Sequence, residues 1–274
     1  MRIAFIIVTY NTPKKSLQRL LKEVNHIKSR DDELFVIDNT RSRKSYAQGV
    51  NDGIKKGLSA GCDLYVFMND DISISEVTRK KILEGTSCYD IWGGEINQDG
   101  SSYFGGKIDP VRLSGLLYSN RSKARFAETD FTSGSFMIVK KQVISTIGLL
   151  DESFHMYYED VDYCTRARKK GFRVGVDSQI SYTHFENSKK TNHDKDRQLF
   201  ISRFRYFYKY ANFWQKSREL LRFPKTLLEH KEIVISILKE RKFLLNFLSI
   251  NLSSVINKLL NFILFLFLIK YLSP

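Results

Sequence analysis

Three short apolar runs constrain this chain most: IAFIIVT at 3–9, LFVI at 34–37 and LYVFM at 64–68. Each breaks off abruptly into polar residues, Thr9-Tyr10-Asn11, Asp38-Asn39 and Asn69-Asp70-Asp71. Runs this short, rich in β-branched and aromatic residues, suit strands buried on both faces. Helical patterns separate them. Thr12-Pro13 reads as an N-cap and first-turn proline, followed by an apolar stripe at Leu17, Leu20, Leu21, Val24 and Ile27. Residues 46–58 read as a second, shorter helix. Strand, helix, strand, helix, strand predicts a parallel α/β sheet. In open α/β sheets, ligands bind beyond the carboxyl ends of the strands, which here carry the polar groups.

The second half of the chain extends this pattern. Residues 92–106 are rich in Gly and polar residues and predict loops or hairpins, and 130–139 predict a strand with a kink at Gly134. A helix is expected from Glu159 or Asp160, because acids lead it, Arg166, Arg168, Lys169 and Lys170 follow, and Gly171 closes it. Residues 172–176 and 179–183 return to strand character. From about residue 197 the composition changes: 199–214 (LFISRFRYFYKYANFW) mixes aromatic and basic residues. Further on, Asn246, Ser249, Ser253, Asn257 and Asn261 make a polar stripe along an apolar helical pattern at 243–269. The division expected is 1–200 as the catalytic domain and 201–274 as a basic, amphipathic helical region.

Charge follows the same division. The formal net charge is +14, yet residues 201–274 hold 13 Lys and Arg against 4 Asp and Glu. An excess of this kind suits an anionic partner, a membrane surface or a nucleic acid. The apolar block 259–269 is too short to span a bilayer, which takes about 20 residues, so lying in the interface is easier. A peripheral membrane role ranks first for the tail, a homodimer interface second, and nucleic acid is set aside. Cys62, Cys88 and Cys164 are far apart and form no C-x-x-C pair, so neither a cysteine metal cage nor a disulfide framework is expected. No signal peptide is read at the start of the chain.

Asp70 and Asp71, adjacent at the end of an apolar strand, repel one another and are costly to desolvate. A divalent cation held by oxygen ligands, with substrate phosphates completing its shell, would resolve both costs. A polar turn after a strand is the alternative, since Asp and Asn are common turn residues. No Walker loop and no G-x-G-x-x-G follows the first strand, so glycine-rich phosphate cradles are excluded and the cation gains weight.

Five blocks carry a family resemblance: IIVTYN at 6–11, VIDNT at 36–40, FMNDD at 67–71, the stretch 133–174 containing SGSFMIV and YYEDVDYC, and YTHFENS at 182–188. In order and spacing they resemble the family 2 inverting glycosyltransferases, in the bacterial rhamnosyltransferase-like branch that builds surface polysaccharides. The likeness covers about residues 1–200. It implies a GT-A nucleotide-sugar-binding fold, α/β with a mostly parallel central sheet, plus a C-terminal helical extension. It implies that Thr9, Tyr10, Asn11 and Asp38 hold the nucleoside. The DXD element becomes Asn69-Asp70-Asp71, with Asp70 beside the ribose or metal and Asp71 the ligand of Mg²⁺ or Mn²⁺. His184 would join the metal or the diphosphate. Glu159 and Asp160 match the catalytic pair, with Asp160 as base; helix capping is the plainer reading of both. His155 is a weaker candidate for the acceptor site, and Gly134 would let the backbone approach sugar or acceptor.

The activity so implied is transfer of a hexose, L-rhamnose by the branch resembled, from a dTDP- or UDP-sugar to a saccharide or polyprenyl-diphosphate-linked acceptor. The expected location is cytoplasmic, peripheral at the inner membrane face. Two rivals stand beside it: a metal-dependent nucleotidyltransferase, which also pairs carboxylates with a metal, and a non-catalytic nucleotide-sugar-binding protein.

Overall fold

The computed structural model describes residues 1–42, 44–185 and 193–229, with no side-chain description at 193, 220, 223, 224 and 226–229. The polar stripe and apolar block expected at 243–269 lie outside the described residues.

The chain begins β1 (Ile3–Thr9), α1 (Lys14–Ile27), β2 (Glu33–Asp38), α2 (Tyr46–Ser59), β3 (Leu64–Asn69). The three apolar runs are therefore strands, and the two patterns between them are helices. β4 (Ile72–Ser73), α3 (Arg79–Glu84), β5 (Ile91–Gln98) and β6 (Ser101–Phe104) follow, then β7 (Gly106–Ile108), β8 (Gly115–Leu117) and β9 (Phe126–Glu128). β10 (Phe136–Lys140), α4 (Lys141–Ile147), α5 (Glu159–Lys169) and β11 (Val174–His184) complete one compact unit, residues 1–109 and 114–190. A second unit contains, among the described residues, 110–113, α6 (His193–Tyr210) and α7 (Phe213–Glu229). At the start of α7, Asn212 Oδ1 accepts from the Gln215 amide at 2.9 Å, and Gln215 Oε1 accepts from the Asn212 amide at 2.8 Å. This reciprocal cap satisfies two amides that a helix start otherwise leaves unpaired.

The main sheet runs β2-β1-β3-β10-β5-β11-β4, with β6 paired to β5 and β9 to β11. β1 is parallel to β2 and β3, and β11 is parallel to β5, while β10 and β4 run against their neighbours. β2, β1, β3, β5 and β11 thus share one direction. Their carboxyl ends, Thr9, Asp38, Asn69, Gln98 and His184, fall along one edge of the sheet.

Sheet and helices pack tightly because the sequence supplies small residues where backbones meet. Gly49, Gly53 and Gly57 recur every fourth residue on α2. A Cβ at Gly53 would stand 2.4 Å from Ile6 Cγ2, and one at Gly49 2.7 Å from Val8 Cγ1. α2 can therefore lie against β1 at a separation no larger residue permits.

Four local expectations need correction. Pro13, not Thr12, caps α1, and no side chain bonds the helix start; the Thr12 hydroxyl is drawn away to Asp70 Oδ2. The Gly-rich stretch 92–106 holds a central strand as well as a hairpin. Gly93 and Gly94 belong to β5 because Thr132 Oγ1 and the Ile180 carbonyl would lie 2.0 and 2.3 Å from any Cβ there. The strand read at 130–139 begins only at Phe136, and its first residues are a loop. The two strands read at 172–176 and 179–183 are one, β11, whose pairing with β5 shifts between Asp177 and Ser181. Such an irregularity admits extra residues into one strand without breaking it. Arg125 Nη2 reaches buried Asp177 there at 2.7 Å.

Candidate active site

The first acidic cluster grows out of β3. In register, Thr9 sits beside Asp38 and Val8 beside Asn69, so the first three strand ends are neighbours. The Thr9 carbonyl accepts from the Asn39 amide at 2.9 Å. Asn11, with φ 51°, turns the chain through the left-handed region, and its amide donates to Thr40 Oγ1 at 3.0 Å. Tyr10 is left 59% exposed at the mouth of this edge. Asp38 is exposed and accepts from the Thr40 amide at 2.8 Å.

Asp70 and Asp71 diverge. Asp70 Oδ2 accepts from the Tyr10 amide at 3.0 Å and from the Thr12 hydroxyl, tying the loop after β1 to the end of β3. Burial raises its carboxyl above the usual range, an effect the two hydrogen bonds only partly offset. Asp71 faces the other way. Burial pushes its carboxyl up too, but the His184 ring and the Asn69 side chain outweigh this and hold it below the usual range.

Asp71 Oδ1 and His184 Nε2 stand 3.2 Å apart, both atoms buried, without the alignment of a hydrogen bond. On the far side of the ring, His184 Nδ1 lies 3.2 Å from Gln98 Oε1, an acceptor. Gln98 Oε1 suits a proton on Nδ1; with that tautomer the Nε2 lone pair faces the carboxylate, whereas a charged ring turns an N–H toward it. Two facing lone pairs call for a cation or a proton between them. The pair fits a divalent cation: one carboxylate and one imidazole, the imidazole oriented from behind by a carbonyl oxygen. Among the described residues no group of three or more His, Cys, Asp and Glu is placed to hold a metal. An ion here would take its remaining ligands from substrate and water, as Mg²⁺ usually does.

The second cluster opens α5. Tyr157 and Tyr158 both adopt left-handed φ, 66° and 67°. Consecutive non-glycine residues in that region are strained, and strain of this kind gathers at functional sites. The turn delivers Glu159 and Asp160 as the first residues of the helix, after Tyr158 in the cap position. Asp160 Oδ2 accepts from the Gly134 amide at 2.9 Å and Oδ1 from the Val161 amide at 2.8 Å. Glu159 is buried, and its Oε2 has no hydrogen-bond partner. Burial raises both carboxyls, and the Asp160 charge adds to it at Glu159, pushing that group up to about 8. Near neutral pH burial and mutual repulsion therefore favour one proton on the pair over two charges.

The loop before β10 joins the clusters. The Ser135 carbonyl accepts from the Asn69 amide at 3.0 Å, while the preceding Gly134 amide holds Asp160. Tyr46, from the first turn of α2, donates its hydroxyl to the Gly134 carbonyl at 2.6 Å. Burial first, then the charges of Glu159, Asp160 and Asp70, push its phenol well up, so it stays a donor. Tyr182 and Ser135 share a hydrogen bond of 2.8 Å, and Ser135 and Ser133 another of 2.9 Å. Burial raises the Tyr182 phenol and the charges of both Asp160 and Asp71 add to it, so Tyr182 lies in the field of both clusters.

Tyr46, Ser133, Ser135 and Tyr182 escape the sequence reading. Tyr46 and Gly134 are 88 positions apart, and no local pattern links them. The signals on offer were the serines flanking Gly134 and the place of Tyr182 at the head of the block 182–188. His155, read as a weaker candidate, is exposed on the loop before α5. A Cβ at Gly134 would meet Asp160 Cβ at 3.4 Å and Tyr46 Cε1 at 3.5 Å, ordinary contact distances.

No family model matches the chain. In sequence it is similar to the low-salt glycan biosynthesis hexosyltransferase Agl10 of Haloferax volcanii, 26% identical over 180 residues, covering 62% of this chain and 58% of that protein. It is also similar to the dTDP-rhamnosyl transferase RfbF of Shigella flexneri, 25% identical over 209 residues, covering 65% of this chain and 67% of the relative. Among solved structures it is similar to GalNAc-T7, crystallised with UDP, GalNAc and Mn²⁺, with a TM-score of 0.59 at 11% identity, covering 78% of this chain and 48% of that one. A second neighbour is A197 from STIV, with a TM-score of 0.50 at 17% identity, covering 68% of this chain and 87% of the other. The fold is GT-A, α/β with a mostly parallel central sheet, as the sequence implied. The sequence likeness is to glycosyltransferases, a rhamnosyltransferase among them, as the motif blocks implied.

Proposed function

We propose that the chain is a metal-dependent inverting glycosyltransferase. In this reading it moves a hexose, L-rhamnose by the likeness to RfbF, from a dTDP- or UDP-sugar to a hydroxyl of a saccharide or polyprenyl-diphosphate-linked acceptor. The observation that supports it is the division of acidic groups between two clusters joined by one dipeptide. Ser135 holds the end of β3 and Gly134 holds Asp160.

Single displacement at the anomeric carbon asks for two separate tasks. The acceptor hydroxyl must lose a proton as its oxygen bonds to carbon, and the diphosphate must leave from the opposite side with its charge met. Asp160 suits the first task. In this reading it is the charged member of its pair, held by two backbone amides, and each of its oxygens keeps a lone pair for the acceptor proton. Glu159, protonated, keeps a second charge out of the pocket. Asp71 and His184 suit the second task as holders of Mg²⁺ or Mn²⁺. Such a cation supplies Lewis-acid stabilisation of the departing diphosphate when bound. Tyr10, Thr9, Asn11 and Asp38 line the edge where the nucleoside would lie, with Asn69 and Asp70 shaping its inner wall. The acceptor class puts the protein at the cytoplasmic face of the inner membrane. Among the described residues no helix is long and apolar enough to cross a membrane.

The test is a donor screen with product analysis, with and without Mn²⁺ or Mg²⁺. Release of intact nucleoside diphosphate with transfer of the sugar is the expected result. Release of pyrophosphate would point to a nucleotidyltransferase, and binding without turnover to a non-catalytic sugar-nucleotide binder. Retention of anomeric configuration in the product would overturn the inverting mechanism.

A further inference from the structure

The hairpin formed by β7 and β8 has a face unusual for a solvent-exposed ribbon. Leu116 is 65% exposed, Tyr118 41% and Leu117 37%. Leu116 stands directly opposite Lys107 in the antiparallel register. Tyr118 lies two residues further on, so Lys107, Leu116 and Tyr118 project from the same face. Every residue from 116 to 124 is exposed, Arg121 and Lys123 included. The stretch 114–127, SGLLYSNRSKARFA, contains three cations and no Asp or Glu; Arg121 and Lys123 are exposed, while Arg125 is paired with Glu84 and Asp177. Large apolar side chains in open solvent beside cations, with no acidic residue among them, match the chemistry of an anionic lipid interface.

The placement of the hairpin gives this face a purpose. The Gly115 amide donates to Tyr158 Oη at 3.1 Å, and Tyr158 immediately precedes Glu159 and Asp160. The ribbon is thus bound to the strained turn that delivers the candidate base.

We propose that the β7–β8 hairpin is a membrane-docking element that seats Leu116 and Tyr118 in the headgroup region of an anionic bilayer, with Lys107, Arg121 and Lys123 on the lipid phosphates. The docked hairpin holds the start of α5 against the leaflet, where the sugar of a lipid-linked acceptor meets Asp160. This use of the surface rests on the glycosyltransferase reading; the surface itself does not.

The experiment is co-sedimentation of the full chain with vesicles of phosphatidylcholine alone or mixed with phosphatidylglycerol. The wild type is expected to bind the anionic vesicles and to lose binding as salt rises. Leu116→Ser with Tyr118→Ser is expected to weaken that binding about 10-fold. Arg121→Gln with Lys123→Gln is expected to weaken it and flatten the salt dependence. Circular dichroism and nucleoside diphosphate binding, unchanged in both variants, establish that they fold. Wild-type protein that ignores anionic vesicles overturns the proposal. So does a Leu116/Tyr118 variant that binds like wild type, which would put the contact elsewhere in the chain. A wild-type dimer in solution that the same variant converts to monomer also overturns it, naming a second copy as the occupant. Hairpin-dependent vesicle binding by a protein with no transferase activity would leave the surface standing and remove the enzymatic reading.

Discussion

The Gly134 amide donates to Asp160 Oδ2 at 2.9 Å while the carbonyl of the same residue accepts from Tyr46 at 2.6 Å. One residue thus transmits the position of α2 to the carboxylate at the start of α5. It fixes one oxygen of Asp160 and leaves room for the acceptor proton.

Asp160→Asn keeps the size of the side chain but leaves one of the two backbone amides facing an NH2 group, so a modest loss of stability is expected while folding and donor affinity persist. Turnover is expected to fall by about 10²-fold or more, because the amide cannot take a proton. Denaturation midpoint, donor affinity and rate are to be read on one preparation. Loss of donor binding with rate would place Asp160 in the metal site instead.

Glu159→Gln distinguishes the two carboxyls. Burial and the Asp160 charge raise Glu159 to about 8, so the wild-type group is mostly protonated near neutral pH and glutamine imitates it. The variant is expected to keep turnover within about 3-fold of wild type at pH 7. In both proteins the rate should fall with acidity through an apparent pKa above the ordinary Asp range, since burial raises Asp160 and only its ionised form is a base. A variant as slow as Asp160→Asn would make Glu159 the base.

Tyr46→Phe removes the hydroxyl that holds the Gly134 carbonyl. A hydrogen bond of this kind contributes about 1 kcal/mol net, so kcat is expected to drop about 5- to 10-fold with KM for the donor little changed. A purely structural role would lower the denaturation midpoint and leave kcat of the remaining folded enzyme intact.

Asp71→Ala is expected to abolish the dependence of nucleoside diphosphate binding on Mn²⁺, and His184→Ala to weaken Mn²⁺ affinity by about 10-fold or more. Titration calorimetry of UDP and dTDP with and without metal measures both without an acceptor. Full wild-type turnover in EDTA would remove the metal from the proposal.

Asp32 and Arg79 test the scaffold rather than the site. The Asp32 side chain is buried, Arg79 Nε meets it at 2.8 Å, and the Ile3 amide donates to it at 2.9 Å. Burial raises this carboxyl, but the hydrogen bonds from Arg79, Ser29 and Ile3 outweigh it and bring it to about 2, below its ordinary 3.8. The stability it contributes is therefore full above about pH 4 and lost as pH falls through about 2. Arg79→Ala leaves a buried carboxylate without its cation, at an expected cost of about 3 kcal/mol at neutral pH. Urea denaturation at pH 7 and pH 3 measures both the loss and its narrowing in acid.

Local residue patterns specify the strands β1, β2 and β3, the helices between them and the fold class. These depend on side-chain periodicity and on polar residues placed where buried runs end, both of which are local. Asp71, His184 and the Glu159-Asp160 pair were also legible as candidates, through motif blocks in the order and spacing of the family they resemble. How the carboxylates differ follows from packing between distant segments. Asp70 turns inward because Thr12, expected to cap α1, reaches across to it instead, and Asp71 is left to face His184. The register of β11 against β5 brings His184 beside Gln98, and the loop before β10 brings Gly134 to both Tyr46 and Asp160. Those contacts join residues 26 to 88 positions apart. Pairings at such distances are set by how the sheet closes and the helices pack, and no local pattern of residues encodes them.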